Sequence, residues 1–248
     1  MVTVLTFPYD PDSGKLDPVT VRSRIRVAGG DAVLLKDTID VAVEPGSGWE
    51  GLVTTAGHQL IDGRRAARFE AAIKEGMSLA QYAALVIPRV PVRLKVTLIP
   101  EMQAPAPGVP LSVPAPIPPQ TRVIPISIPP IVPGKIELET VSLPDDPSGN
   151  PRGGIRAWVR FPSFVRPTAD ELRAVQQSLS FTETGGQSAI IPGPVFRDTD
   201  GSVTREYTAL ASRETMEGAR ITVEVTATIC GILLRSSAKL SFAPRRVF

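Results

Sequence analysis

His58 and Cys230 are the only histidine and the only cysteine in the chain. Between them they bound the nucleophilic chemistry it could do. A serine–histidine triad needs the imidazole within hydrogen-bond reach of a serine, often one presented on a sharp turn. His58 lies in TTAGHQL, and no G-x-S-x-G elbow occurs in the chain, so it reads as a loop or edge residue. A reactive thiol needs an electropositive setting that favours the thiolate. Cys230 follows the strand-like run RITVEVTATI and precedes Gly231, a context that suits a small buried hydrophobe. A lone cysteine also excludes an intrachain disulfide and a cysteine-cluster metal site.

Acidic pairs occur at Asp10 and Asp12, at Asp145 and Asp146, and at Asp198 and Asp200. A hard cation takes oxygen ligands of this kind. None of the three continues into a full calcium-loop pattern, and Asp is an ordinary turn former. Gly29-Gly30 and Gly153-Gly154 are not in a phosphate-loop context. Glu70 and Glu75 have no identifiable catalytic partner. The expectation is therefore no metal, no cofactor and no catalytic site.

Arginines offer a different chemistry. Arg22, Arg24 and Arg26 alternate along VTVRSRIRV, and Arg156, Trp158 and Arg160 alternate along IRAWVRF. Alternate residues of a strand stand about 7 Å apart on one face. Such stripes could bind phosphates and stack a base on the tryptophan. Against this, aromatic residues are only 5% and the formal net charge is +2, so the bulk charge demands no polyanionic partner. The bland reading is a solvated or salt-bridged outer sheet face.

The elements that would position these residues are mostly strands. Val19, Val21, Ser23, Ile25 and Val27 share one face of a period-two pattern, and Ile39, Val41 and Val43 alternate likewise. The period then changes. Asp62 can cap a helix over about 63–75, with Phe69 and Ile73 on one side and Gly76 as a stop. Ser78 and Gln81 form a capping box for a second helix that runs to about Val86. Met77 and Tyr82 flank it. Val92, Leu94, Val96 and Leu98 then return to strand period. Residues 1–100 are expected to form an α+β domain with a helical hairpin near 63–87.

The last part, 135–248, reads as strands with turn signals. IELETVSLP, Ile155 to Phe161, RITVEVTATI and AKLSF are strands, and FRDTDGSVTREY is a hairpin with Asp200-Gly201 at its tip. Thr168 and Glu171 form a capping box that opens the helix ADELRAVQQSL. This pattern predicts an immunoglobulin-like β-sandwich without the antibody-type disulfide. The fold class as a whole is mainly β with a few short helices. An internal echo links TVLTFPYDPDSG at the start to TVSLPDDPSGN at 140–150, and each precedes a strand with alternating arginines. That is what duplication would leave. The helices fall at different offsets, so convergent strand–turn composition is the expected source.

Residues 101–134 are the unusual stretch. From Met102 to Gly134 the only charged residue is Arg122, and ten residues are Val, Leu or Ile. A free linker is normally polar or charged. Prolines forbid a helix or a central strand here. An extended, polyproline-like or edge-strand path along an apolar surface remains, with Val123, Ile124, Ile126, Ile128, Ile131 and Val132 as anchors. The surface belongs either to this chain or to a neighbour.

An apolar arm, a sandwich and no visible catalytic constellation occur together in virion proteins, an analogy of architecture. The expectation is a non-enzymatic structural protein of a bacteriophage particle, a capsid-decoration or tail component. It would form a homo-oligomer or larger assembly through protein partners. An anion- or nucleic-acid-binding module using the arginine faces is the alternative. An enzyme with a site assembled from scattered residues is a third reading. The N-terminus has neither the charged nor the apolar region of a signal peptide, and no proline-free apolar run reaches ~18 residues. No membrane is expected, and synthesis is expected in the host cytoplasm.

Overall fold

A computed structural model describes residues 2–4, 19–22, 34–62, 64–102, 119–185, 189–211 and 216–244. For strand residues within 2–39, 56–70, 98–102 and for residue 120 it describes the backbone alone. Among the described residues the chain is mainly β, with fourteen strands and two short helices. It divides into two units, one of residues 1–77 and 81–131, the other of residues 78–80 and 132–248.

The first unit holds β1 (Val2–Val4), β2 (Val19–Arg22), β3 (Leu34–Val43), β4 (Val53–Asp62), β5 (Arg64–Ile73), β6 (Val92–Met102) and β7 (Gln120–Ile126). Helix α1 (Leu79–Leu85) lies in the chain between β5 and β6. The strands form two antiparallel sheets, β1-β2-β5-β4 and β3-β6-β7. Buried residues come from both: Ala71 and Ile73 on β5, and Val92, Leu94 and Val96 on β6. Met77, Tyr82 and Val86, in and around α1, are also buried. Trp49 is fully buried, and its indole N–H donates to the Val90 carbonyl at 3.1 Å.

The second unit holds β8 (Lys135–Leu143), β9 (Arg152–Arg160), α2 (Ala169–Ser178), β10 (Ser180–Thr184), β11 (Ile190–Arg197), β12 (Val203–Ala209), β13 (Arg220–Ile229) and β14 (Ile232–Ser241). Its sheets are β11-β12-β9-β8 and β10-β13-β14. One hydrophobic cluster takes Ile155, Val203 and Tyr207 from the first of these and Ile221, Val223, Val225 and Leu240 from the second. The alternation legible in RITVEVTATI is the burial pattern of β13. The Thr168–Glu171 capping box is present at α2, with Glu171 N–H donating to the Thr168 hydroxyl at 3.2 Å and Thr168 N–H to the Glu171 carboxylate at 2.8 Å. Cys230 and Gly231 are the two-residue loop between β13 and β14, at φ 48° and 78°. Two positive φ values in a two-residue loop are the type I′ pattern that follows strand twist.

The two units share one strand order. Written by position in each unit, both are 1-2-5-4 in one sheet and 3-6-7 in the other. Residue types match along it. In sequence, VRSRIRV from Val21 corresponds to IRAWVRF from Ile155, and LKVT from Leu94 corresponds to VEVT from Val223. In sequence, the echoed segments at the start of the chain and at 140–150 each begin within the first strand of a unit and end before its second.

Two expectations are corrected. Residues 64–73 are not the first half of a helical hairpin: they are β5, paired with β4 from Val53↔Ile73 to Asp62↔Arg64. RRAARFEAAI carries strong helix formers, yet Ala67, Phe69, Ala71 and Ile73 also alternate, and pairing on both sides, with β2 and β4, overrides propensity. Only the later half of the hairpin, α1, is helical. The stretch 101–134 is likewise not a separate arm. Its residues 120–126 are β7, paired with β6 from Leu98↔Gln120 to Val92↔Ile126, and the units divide at 131/132. β7 is an edge strand, the position at which Pro125 leaves no ladder donor missing. Residues 103–118 lie outside the described residues.

Candidate functional site

The six apolar anchors separate into two groups. Ile124, Ile126, Ile128 and Ile131 are buried within the chain, at 7%, 4%, 3% and 7% exposure. Val123 and Val132 are exposed, at 45% and 63%. Val123, Pro125 and Ser127 alternate with the buried isoleucines, the signature of a half-buried edge strand. Burying each isoleucine stabilises by about 1.5–3 kcal/mol, and that burial takes place in cis. The Tyr82 hydroxyl donates to the Ile131 carbonyl and fixes the end of the segment.

The arginine stripe of the second unit is held by carboxylates. Arg156 donates through Nε to the Ser202 hydroxyl at 2.9 Å and through a terminal nitrogen to Asp200 at 2.6 Å. Asp198 is 3.9 Å from the same guanidinium. Hydrogen bonds from Ser202, then the nearby Arg156 charge, hold the Asp200 carboxyl below its ordinary value. Gln176 of α2 donates to the Asp198 carbonyl at 2.7 Å, which ties the helix to the hairpin tip. Arg160 meets Glu137 at 3.4 Å and Lys135 meets it at 3.1 Å; Lys135 first, and Arg160 after it, hold that carboxyl low. Trp158 is half-buried opposite Glu137 in the β8–β9 register. Behind this row, Arg152 pairs with Glu206, which is only 9% exposed. The arrangement is a salt-bridged outer face.

In the first unit the corresponding stripe begins at Arg22, which stands opposite Ala66 in the register of β2 with β5. Arg24 and Arg26 lie outside the described residues. His58 stands on the edge strand β4, opposite Arg68.

Cys230 sits half-buried in its turn, where the thiol donates to the Leu79 carbonyl at 3.5 Å. Burial, and then the Glu171 carboxylate, push the thiol above its ordinary value. Those influences oppose the thiolate that nucleophilic chemistry requires. Asp145 and Asp146 belong to a turn in which Asp146 accepts from the Asn150 backbone at 2.6 Å and from its side-chain amide at 2.9 Å. Among the described residues no group of three or more His, Cys, Asp or Glu side chains could hold a metal ion. Gly153 and Gly154 serve packing: a Cβ at Gly153 would meet Leu240 at 3.2 Å, and one at Gly154 would meet the Arg205 carbonyl at 3.3 Å. Among the described residues no helix is long and apolar enough to cross a membrane.

Sequence reading missed one polar feature. Arg205 shares the inward face of β12 with Val203, Tyr207 and Ala209, all fully buried. The period-two count along VTREYTA, which puts an arginine in an apolar row, is the signal that could have found it.

The sequence matches no protein-family model, and no curated protein is significantly similar to it.

Proposed function

We propose that the chain is a non-enzymatic assembly protein made of two tandem immunoglobulin-like sandwiches that arose by duplication. One observation carries this reading: the strand order common to both units. Lettered A to G along each unit, it is A-B-E-D in one sheet and C-F-G in the other, the order of the constant-type immunoglobulin sandwich. The matched residues on strands B and F support common descent over convergence. Such sandwiches are scaffolds whose edges and loops make contacts. A place in a bacteriophage particle, as a capsid-decoration or tail component, is the finer form of the reading and rests on fold-level analogy.

With four isoleucines engaged in cis, contact with neighbours passes to exposed apolar residues. Val123 and Val132 are two of these. Ile191 and Phe196 on the edge strand β11, at 46% and 48% exposure, are two more. β11 also carries Pro192 and Pro194, which blunt strand-to-strand pairing along its edge and leave side-chain contact as its mode of association. Sedimentation of the full chain over a range of concentrations tests assembly: self-association that weakens in Ile191→Ser/Phe196→Ser supports it. A monomer at all concentrations that is also absent, by mass spectrometry, from purified phage particles would overturn it.

A further inference from the structure

We infer that β14 is an interaction edge, and that its occupant is β14 of a second copy of this chain, paired antiparallel about a two-fold axis at Ser236. The inference goes beyond the assembly reading, whose contacts are apolar side chains on β11, and does not depend on it.

Backbone groups carry the first part. β14 is ten residues long, without proline or glycine, and pairs with β13 in unbroken register from Arg220↔Ser241 to Ile229↔Ile232. Among the described residues β13 is its one strand neighbour. A two-residue I′ loop closes on a pair that exchanges both N–H···O bonds, here Ile229 and Ile232. Beyond the strand, Phe242 N–H donates to the Ala219 carbonyl at 2.8 Å in the same phase. The even-numbered residues of β14 therefore bond to β13. Leu233, Arg235, Ser237, Lys239 and Ser241 turn their N–H and C=O groups away from it, and all five are exposed. Among the described residues no backbone hydrogen bond outside the β13 ladder engages them. Such an edge is a template for another strand. By contrast β7 is interrupted by Pro125, and β11 by Pro192, Pro194 and a register shift.

Side chains choose the occupant. Directly paired residues point to one face, so two copies of β14 pair only in registers that set like-parity residues opposite each other. With Ser236 on the axis, Ile232 stands opposite Leu240 and Leu234 opposite Ala238, apolar on apolar along the core side. On the outer face Arg235 stands opposite Ser237 and Lys239 opposite Leu233. Moving the axis to Ser237 sets Arg235 opposite Lys239, and moving it to Arg235 sets that arginine opposite its own copy. Like charges directly opposite are destabilising. Axes nearer either end leave more of the strand unpaired. Ser236 is thus the axis that keeps nearly the whole strand paired without opposing like charges. Backbone phase agrees: the pairs that exchange hydrogen bonds are then 235 with 237 and 233 with 239, the residues whose groups face outward. Ile232, Leu234, Ser236 and Ala238 are only half-buried, whereas Ile221, Val223, Val225, Ala227 and Ile229 on β13 are buried. A further strand supplies β14 with the flanking cover that β13 already has on both sides.

Sedimentation of the full chain tests the edge. A dimer should form, and Ser237→Pro, which removes an outward N–H from each copy, should raise its dissociation constant about tenfold or more. Ile191→Ser/Phe196→Ser should leave that dimer unchanged. A dimer weakened by the β11 variant and not by Ser237→Pro would overturn the β14 edge and leave the assembly reading standing. Disulfide trapping in a Cys230→Ser background tests the register. Ser236→Cys should cross-link two copies on mild oxidation, since a pair on the axis stands about 4.5 Å apart at Cα, within disulfide reach. Leu233→Cys should not, because its two copies stand ~20 Å apart. A chain monomeric at all concentrations, or one that does not cross-link through Ser236→Cys, would overturn the pairing. Should Ser237→Pro fail to fold, the two cysteine variants decide alone.

Discussion

The two units pair their sixth and seventh strands in the same way but connect them differently. In the second unit β13 passes to β14 through Cys230 and Gly231. In the first, 17 residues, 103–119, separate β6 from β7. Loop closure grows only logarithmically with length, so the longer connection costs about 2 kcal/mol more. Burying Ile124, Ile126 and Ile128 against the unit outweighs that several-fold. The side-chain pattern, and not the connection, decides which strands pair. Helices show the same freedom: α1 falls between the fifth and sixth strands of one unit, and α2 between the second and third of the other. The helices of the two units thus stand in different loops, although the strands follow one order.

The comparison breaks most severely if β7 is removed. A fragment of residues 1–100 should fail to fold, whereas residues 1–131 should fold alone, because only the longer piece completes the sheet β3-β6-β7. Dispersed amide resonances in the short fragment would show that β7 is not the seventh strand of that unit. Next in size, the triple variant Ile124→Ser/Ile126→Ser/Ile128→Ser should cost about 5–9 kcal/mol. That is comparable to the whole stability of a domain. Circular dichroism and hydrogen exchange should show the first unit unfolded and the second intact; loss of both would mean the units do not have independent cores.

A smaller effect sharpens the second unit. Thr168→Ala removes the hydroxyl half of the α2 capping box and should cost about 1 kcal/mol, read from the denaturant midpoint of that unit. The smallest effect is on pH. The carboxyls of Glu137, Glu171 and Asp200 are held below their ordinary values of 4.5, 4.5 and 3.8. Folding therefore gains from these groups above those values, and the gain is lost as pH falls through the lowered ones. The second unit should lose stability modestly below about pH 4, because all three groups are largely solvent-screened. In Asp200→Asn this acid loss should shrink, and an unchanged pH profile would show that the Arg156 clasp contributes nothing.

The sequence by itself determined the strands whose two faces see different surroundings. RITVEVTATI, IELETVSLP and the Ile155–Phe161 run alternate because one side of each meets a core and the other meets water, and the capping box at Thr168 is a local hydrogen-bond pattern that needs nothing distant. The A–B echo was also legible, because turn residues act locally. Tertiary structure decided the rest, and for one physical reason: each such case depends on a partner strand far along the chain. RRAARFEAAI satisfies a helix or a strand equally well until β2 and β4 flank it. The isoleucines at 124, 126 and 128 announced burial, but whether in this chain or a neighbour depended on β6 being there to pair with. For Arg156 the alternation left a phosphate-binding stripe and a salt-bridged face both open, and the hairpin tip that brings Asp198 and Asp200 to it makes the salt-bridged face. Arg205 stands half-buried, its Nε out of water, only because two sheets close over the row it shares with Tyr207.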